Sequence, residues 1–270
     1  MEHPLFRGKA AGLPRRALPG RSSRAMAGKA VIVGTAFALF GGAAGIAAAE
    51  SPRPGVAAIH LVGDSTMCVY RAEHAPLEGW GMRLPALCRK GVAVRNHAVA
   101  GRSTKSFESR GEWGKVLPEI KPGDFVVIGM GINDGSPKET RPLNHTDTGG
   151  EFEGNLARWI SAIRGRGGIP LLTTTTVIWA EKGLTAPDPL RERYNRAIRE
   201  TAAACRCDVV DLHGEAFRRF AAMKPDEVSA FYLADRNDYC HLNGRGADFY
   251  ARLFVELCKK AELPIASLFE

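Results

Sequence analysis

The stretch Ala57-Ala58-Ile59-His60-Leu61-Val62-Gly63-Asp64-Ser65-Thr66-Met67 decides how this chain folds. Its first six residues form a short, nearly unbroken apolar run, the pattern of a strand buried on both faces. Gly63 and Asp64 break the run and Ser65 follows, so the serine stands at the rim of a sheet, where a nucleophile is accessible. Taken alone, Asp64-Ser65-Thr66 also reads as an N-cap cluster that opens a helix. The remainder of the chain separates the two readings.

Strand and helix signals alternate from this point to the C-terminus, with no internal repeat and no interdomain linker. Strands are predicted over 57–62, 92–96, 125–130, 169–177 and 208–212. Helical character is predicted over 81–89, 107–120 and 244–260. Two further helices carry apolar stripes, Phe152-Leu156-Trp159-Ile160-Ile163 and Leu190-Tyr194-Ala197-Ile198, and 135–150 reads as a polar loop. Such alternation argues for an α/β fold whose parallel sheet is covered on both faces. In a flavodoxin-like strand order, 2-1-3-4-5, the ligand crevice lies outside the carboxyl ends of the first and third strands. Ser65 follows the first of these and Asn133 the third.

The N-terminal fifty residues read as a leader. A basic segment ending at Lys29 precedes a Gly- and Ala-rich apolar run that closes in Ala47-Ala48-Ala49, the layout of a secretory signal peptide with a small-residue cleavage site. Met26 offers a second, later start. The division is therefore 1–49 signal peptide and 50–270 single domain, secreted or periplasmic, with no stable membrane insertion once the leader is cleaved. Residues 1–49 hold seven basic residues (Arg7, Lys9, Arg15, Arg16, Arg21, Arg24, Lys29) and one acid, Glu2; without them 30 bases face 28 acids, and the net charge falls from +8 to about +2. The basic excess thus gives no reason to expect a nucleic-acid partner.

Six cysteines in an exported chain can pair, but they are too sparse for a disulfide-dependent scaffold. Cys68 lies three residues after Ser65 and Cys240 next to His241, so these two can bridge if serine and histidine meet; Cys88 and Cys258 form a second candidate pair. Cys205-x-Cys207 lacks zinc-site spacing, and no metal or cofactor is expected.

Four blocks fall at one edge of the expected sheet: Ser65, Ala100-Gly101-Arg102-Ser103, Gly131-Ile132-Asn133-Asp134 and, in a loop before the last helix, Asp238-Tyr239-Cys240-His241. Each suits one task in acyl transfer. A serine hydroxyl needs a base to accept its proton, and His241 is an imidazole able to do so. Asp238, three residues earlier, can reach the other ring nitrogen and hold the tautomer. The backbone N–H groups of Ser65 and Gly101 and the amide of Asn133 can receive the developing alkoxide.

These blocks, in this order, resemble the SGNH (GDSL-type) hydrolases. Ser65-Thr66-Met67, Gly79-Trp80-Gly81, 96–103 (Asn-His-Ala-Val-Ala-Gly-Arg-Ser) and 123–128 (Gly-Asp-Phe-Val-Val-Ile) are similar to the rhamnogalacturonan acetylesterase branch. The resemblance implies a three-layer α/β/α sandwich with a mostly parallel five-stranded sheet and a serine esterase that deacetylates pectin through an acyl-enzyme. It departs at Ile132, where that branch usually has histidine. Acylhydrolysis of other short esters, or a non-catalytic carbohydrate-binding role, are the alternatives; an intact Ser65, Asn133 and His241 argues against the last.

Other residues are secondary candidates. Arg141 and Lys138, in the loop over the site, can bind the carboxylates of a galacturonate-bearing polymer, and Trp179 can either stack on a sugar or pack in the core. His213 is the rival histidine, Asp235 the rival acid, and His60 and His97 read as structural. The substrate expected is an acetylated polysaccharide or small ester, and the chain is expected to act as a monomer.

Overall fold

Short runs of Ile, Leu and Val assemble into a parallel sheet in a computed structural model that describes residues 57–180 and 183–270. Its strands are β1 (Ala58–Gly63), β2 (Ala93–Asn96), β3 (Phe125–Gly129), β4 (Ile169–Thr173) and β5 (Asp208–Val210), in the order β2-β1-β3-β4-β5. Every neighbouring pair in this sheet is parallel. Because side chains alternate along a strand, each strand feeds two cores. Ile59, Leu61, Phe125, Val127 and Leu171 enter one, and Val62, Val126, Ile128 and Leu172 enter the other.

Helices close both faces. On the second face lie α1 (Thr104–Ser109), α2 (Glu112–Val116), α3 (Glu151–Gly165) and α4 (Pro189–Ala204), contributing Phe107, Val116, Trp159 and Ile198 among others. The first face is covered by α5 (Leu212–Phe220), α6 (Pro225–Ser229) and α7 (Gly244–Lys260), through Phe220, Val228, Tyr250 and Phe254. The fold is the α/β arrangement expected, with β1 and β3 adjacent at the centre, so the loops after them meet at one edge.

Local structure departs from the sequence expectation where glycine, proline or polar side chains intervene. Residues 81–89 form no α-helix but two 3-10 turns, Trp80–Met82 and Leu84–Leu87, because Pro85 supplies no N–H and Gly81 is pressed against the Ser65 loop. A Cβ there would lie 2.5 Å from the Met67 carbonyl oxygen. The helix expected over 107–120 is broken by Gly111, which takes a left-handed φ of +81°.

β4 stops at Thr173 rather than 177, since side chains capture the hydrogen bonds of the threonine run that follows. Asn195 Oδ1 accepts from the Thr175 N–H at 2.9 Å, and the Tyr250 hydroxyl accepts from the Val177 N–H at 2.9 Å. The segment 238–241, expected as loop, is β7 (Asp238–Leu242), paired antiparallel with β6 (Tyr232–Leu233).

Neither candidate cysteine pair is bridged, and all six cysteines are free. The Cys68 thiol turns back on the Ser65 carbonyl oxygen at 3.7 Å, and that of Cys88 on the Leu84 carbonyl at 3.3 Å. The leader assigned to 1–49 lies outside the described residues.

Candidate active site

The nucleophile loop is held by its own backbone. Asp64, fully buried, accepts from the Thr66 N–H and hydroxyl, both at 2.9 Å, and burial raises its pKa. Trp80 donates its N–H to the Thr66 carbonyl at 2.8 Å, and Asn96 donates its amide to the Met67 carbonyl at 2.8 Å. The Tyr70 hydroxyl donates to the Ser65 carbonyl at 3.1 Å. Ser65 is therefore fixed on both sides, with its hydroxyl left for other work.

That hydroxyl meets β7. His241 Nε2 lies 3.1 Å from Ser65 Oγ, and Nδ1 lies 2.7 Å from Asp238 Oδ2. The other carboxylate oxygen, Oδ1, accepts the N–H groups of Cys240 and His241, each at 3.0 Å. Desolvation pushes the Asp238 carboxyl upward, but these two N–H groups and the imidazole outweigh it and hold its pKa below the usual carboxylate value. Asp238 is thus kept as an anion facing the ring.

A second group of donors lies in the loops that follow β2 and β3, at the same edge of the sheet. Asn133 is 7 % exposed and donates one amide hydrogen to the Arg102 carbonyl at 3.1 Å, which leaves the other hydrogen to point elsewhere. Gly101 takes φ +73°, a backbone that favours glycine, and its carbonyl accepts from Asn144 at 3.0 Å. The N–H groups of Ser65 and Gly101 donate to no partner among the described residues. Asp134, beside Asn133, is fully buried and anchors the loop that follows. It accepts from the Thr104 N–H at 3.0 Å, the Thr104 hydroxyl at 2.6 Å and the Thr146 hydroxyl at 2.9 Å. Burial pushes its pKa up to about 6.

The structure brings Ser65, His241, Asp238, Asn133 and Gly101 to this edge. It does not bring Trp179, which is 6 % exposed and packs edge-on against Phe220 at 5.7 Å, so its ring belongs to the core and has no face free for a sugar. Lys138 and Arg141 are exposed on the 135–150 loop. His213 lies buried on α5, stacked on Phe217, and Asp235 is exposed on the turn before β7. His60 lies between Asp124 at 3.2 Å and His97 at 2.9 Å, inside the sheet. Burial lowers the pKa of both imidazoles, which favours their neutral forms.

Two contacts had no sequence signal. The Tyr70 hydroxyl and the guanidinium of Arg191, which donates to the Ile132 carbonyl at 2.7 Å, both act on backbone oxygens. Among the described residues no group of three or more His, Cys, Asp or Glu gathers to hold a metal ion.

A hydroxyl, an imidazole and a carboxylate in series at the carboxyl edge of a doubly wound parallel sheet describe a carboxylic ester hydrolase. Residues 61–249 match the GDSL-like Lipase/Acylhydrolase family, and the chain belongs to that family. Over 210 residues it is 30 % identical to the "Probable rhamnogalacturonan acetylesterase YesY" of Bacillus subtilis, covering 77 % of this chain and 94 % of that one. It is 27 % identical over 220 residues to the rhamnogalacturonan acetylesterase RhgT of the same organism, covering 77 % and 91 %. The crystal structure of YxiM, also from B. subtilis, superposes with a TM-score of 0.68 at 27 % identity over 77 % of this chain, which spans 57 % of that protein. The acetylxylan esterase Axe2 of Geobacillus stearothermophilus, at 18 % identity and TM-score 0.56 over 74 % and 93 %, shares the fold.

Proposed function

We propose that the enzyme removes acetyl groups from a plant cell-wall polysaccharide of the rhamnogalacturonan type, with Ser65 as nucleophile. The observation that carries this reading is the continuous Asp238–His241–Ser65 series of hydrogen bonds. Ser65 Oγ attacks the acetyl carbonyl carbon while its proton passes to His241 Nε2, and Asp238 stabilises the imidazolium. The carbonyl oxygen, now an alkoxide, receives the N–H groups of Ser65 and Gly101 and the Asn133 amide. Collapse breaks the bond to the sugar oxygen, which takes the proton from His241 and departs as a free hydroxyl. Water, deprotonated by His241, then attacks the acetyl-serine and releases acetate.

The substrate half of the proposal is supported by the relatives' names and by the exposed Lys138 and Arg141, suited to galacturonate carboxylates. A second reading, hydrolysis of other short acyl esters, is favoured by buried Trp179 and apolar Ile132, which offer a sugar neither a stacking face nor a hydrogen bond. Acetate release from acetylated rhamnogalacturonan, acetylated xylan and p-nitrophenyl acetate, with Ser65→Ala as control, tests both. A kcat/KM at least about tenfold higher on rhamnogalacturonan than on xylan is expected; a preference for the small ester alone overturns the polymer. We also read 1–49 as a cleaved export leader, which an exported product beginning at Glu50 by mass spectrometry supports and an intact Met1 in that product contradicts.

A further inference from the structure

Arg191, on the first turn of α4, is 8 % exposed, yet its guanidinium is directed at backbone rather than at an acid. Nη1 donates to the Ile132 carbonyl at 2.7 Å and to that of Gly131 at 3.3 Å. A Cβ added to Gly135 would lie 3.2 Å from both terminal nitrogens, so the guanidinium also rests against the far end of the same turn. Residues 131–135 are the turn that carries Asn133, and one side chain braces it at both ends.

No acid meets the fork of the guanidinium. Among the described residues its one ion pair is with Asp188, 3.9 Å from Nε, which is 42 % exposed and already caps α4 through the Leu190 N–H, while the buried Asp64 lies within reach of its field. Nε itself has no hydrogen-bond partner there. An arginine removed from water without a bidentate acid bears an uncompensated desolvation cost, and its field is correspondingly little screened. The Ile132 carbonyl and the Asn133 N–H belong to one peptide group. Drawing that oxygen toward a cation fixes the plane of the peptide, and with it the direction in which the Asn133 side chain leaves the backbone.

We infer that Arg191 is a positioning residue for the oxyanion donor Asn133, setting the turn that presents the amide and placing positive charge behind it. This rests on the assignment of Asn133 as donor given above. Arg191→Met, Asn133→Ala and the double variant are compared for kcat and KM on p-nitrophenyl acetate, each rate divided by the number of sites that an organophosphate ester titrates. That division separates misfolded protein, which does not titrate, from folded protein that turns over slowly.

Arg191→Met is expected to lower kcat per titrated site by about 10-fold to 100-fold, the effect of a small misplacement, with KM within about twofold. On the Asn133→Ala background the same change is expected to cost less than about threefold, because both act on one donor. A kcat per site within twofold of wild type, or an equal loss on both backgrounds, overturns the inference while leaving Asn133 in place. Near wild-type kcat in Asn133→Ala overturns the donor assignment and this inference with it. Should Arg191→Met fail to fold, Arg191→Lys carries the test, since an ammonium keeps the charge and loses the fork. A drop of about threefold to tenfold per site is then expected, and full kcat overturns the inference.

Discussion

His241 Nε2 stands 3.1 Å from the hydroxyl of Ser65, across a sequence separation of 176 residues. If that contact is the proton path, removing either partner removes turnover. Ser65→Ala and His241→Ala are each expected to lower kcat for acetate release by at least about 10³-fold, and Asp238→Asn by a comparable factor because the ring loses its fixed tautomer. Organophosphate labelling should mark Ser65 in the wild type and no residue in Ser65→Ala; a label elsewhere would name a different nucleophile.

Asn133→Ala is expected to reduce kcat by about 10²-fold to 10³-fold while KM and the thermal midpoint stay close to wild type. Steady-state kinetics beside a thermal melt check this. A variant that is unstable but fully active per folded molecule would assign Asn133 to structure, through its bond to the Arg102 carbonyl.

Gly79 has an ordinary φ of −87°, so alanine there is not conformationally forbidden, but its Cβ would lie 2.1 Å from the Cys68 carbonyl oxygen. The obstacle is backbone and cannot rotate away. Gly79→Ala is therefore expected to displace the loop carrying Ser65 and to lower kcat by about 10²-fold, by misplacing a reacting atom rather than removing it. Unchanged kcat on p-nitrophenyl acetate would show that the loop absorbs the shift.

Asp134 makes stability depend on acidity in a defined window. Burial pushes its pKa up to about 6 from 3.8, so the folded chain keeps this proton where the unfolded chain has released it. The resulting stabilisation is complete below about pH 3.8 and is lost as pH rises through about 6. Asp134→Asn has no proton to lose. Between pH 3.8 and 6 the stability of wild type relative to this variant should fall by up to ~3 kcal/mol, measured by urea melts at each pH. A difference that does not change with pH would refute the assignment.

The sheet was legible because apolar runs such as Ile59 to Val62 and Phe125 to Ile128 are buried on both faces and carry no polar residue that suits solvent, His60 excepted. Ser65, Asn133 and His241 were legible because each residue type has one evident chemical use at the end of a strand. Arg191 was not. It shares a helix with the stripe of Leu190, Tyr194 and Ile198, and it contacts carbonyl oxygens, which every residue possesses, so no pairing of side chains announces it. Trp179 fails in the opposite direction: an aromatic just beyond a strand suits a sugar platform, but packing on Phe220 claims its ring. β6 has two residues, too few for any periodicity, and so the hairpin that delivers Asp238 and His241 carries no strand signal in the sequence.

That hairpin has a further consequence. Base and acid arrive together on β7, whereas the serine arrives on β1, and the hairpin is a separate two-stranded sheet not hydrogen-bonded into the central one. It is seated by Tyr232 and Leu242, both buried in the first core, by the Tyr232 hydroxyl donating to the Val177 carbonyl at 2.8 Å, by the Trp179 N–H bond to the Tyr239 carbonyl at 2.9 Å and by the Glu78 N–H bond to the Leu242 carbonyl at 3.0 Å. Turnover therefore gauges the seating of one small arm on a large body: as the enzyme is warmed, acetate release should fade while the sheet's circular dichroism is still intact.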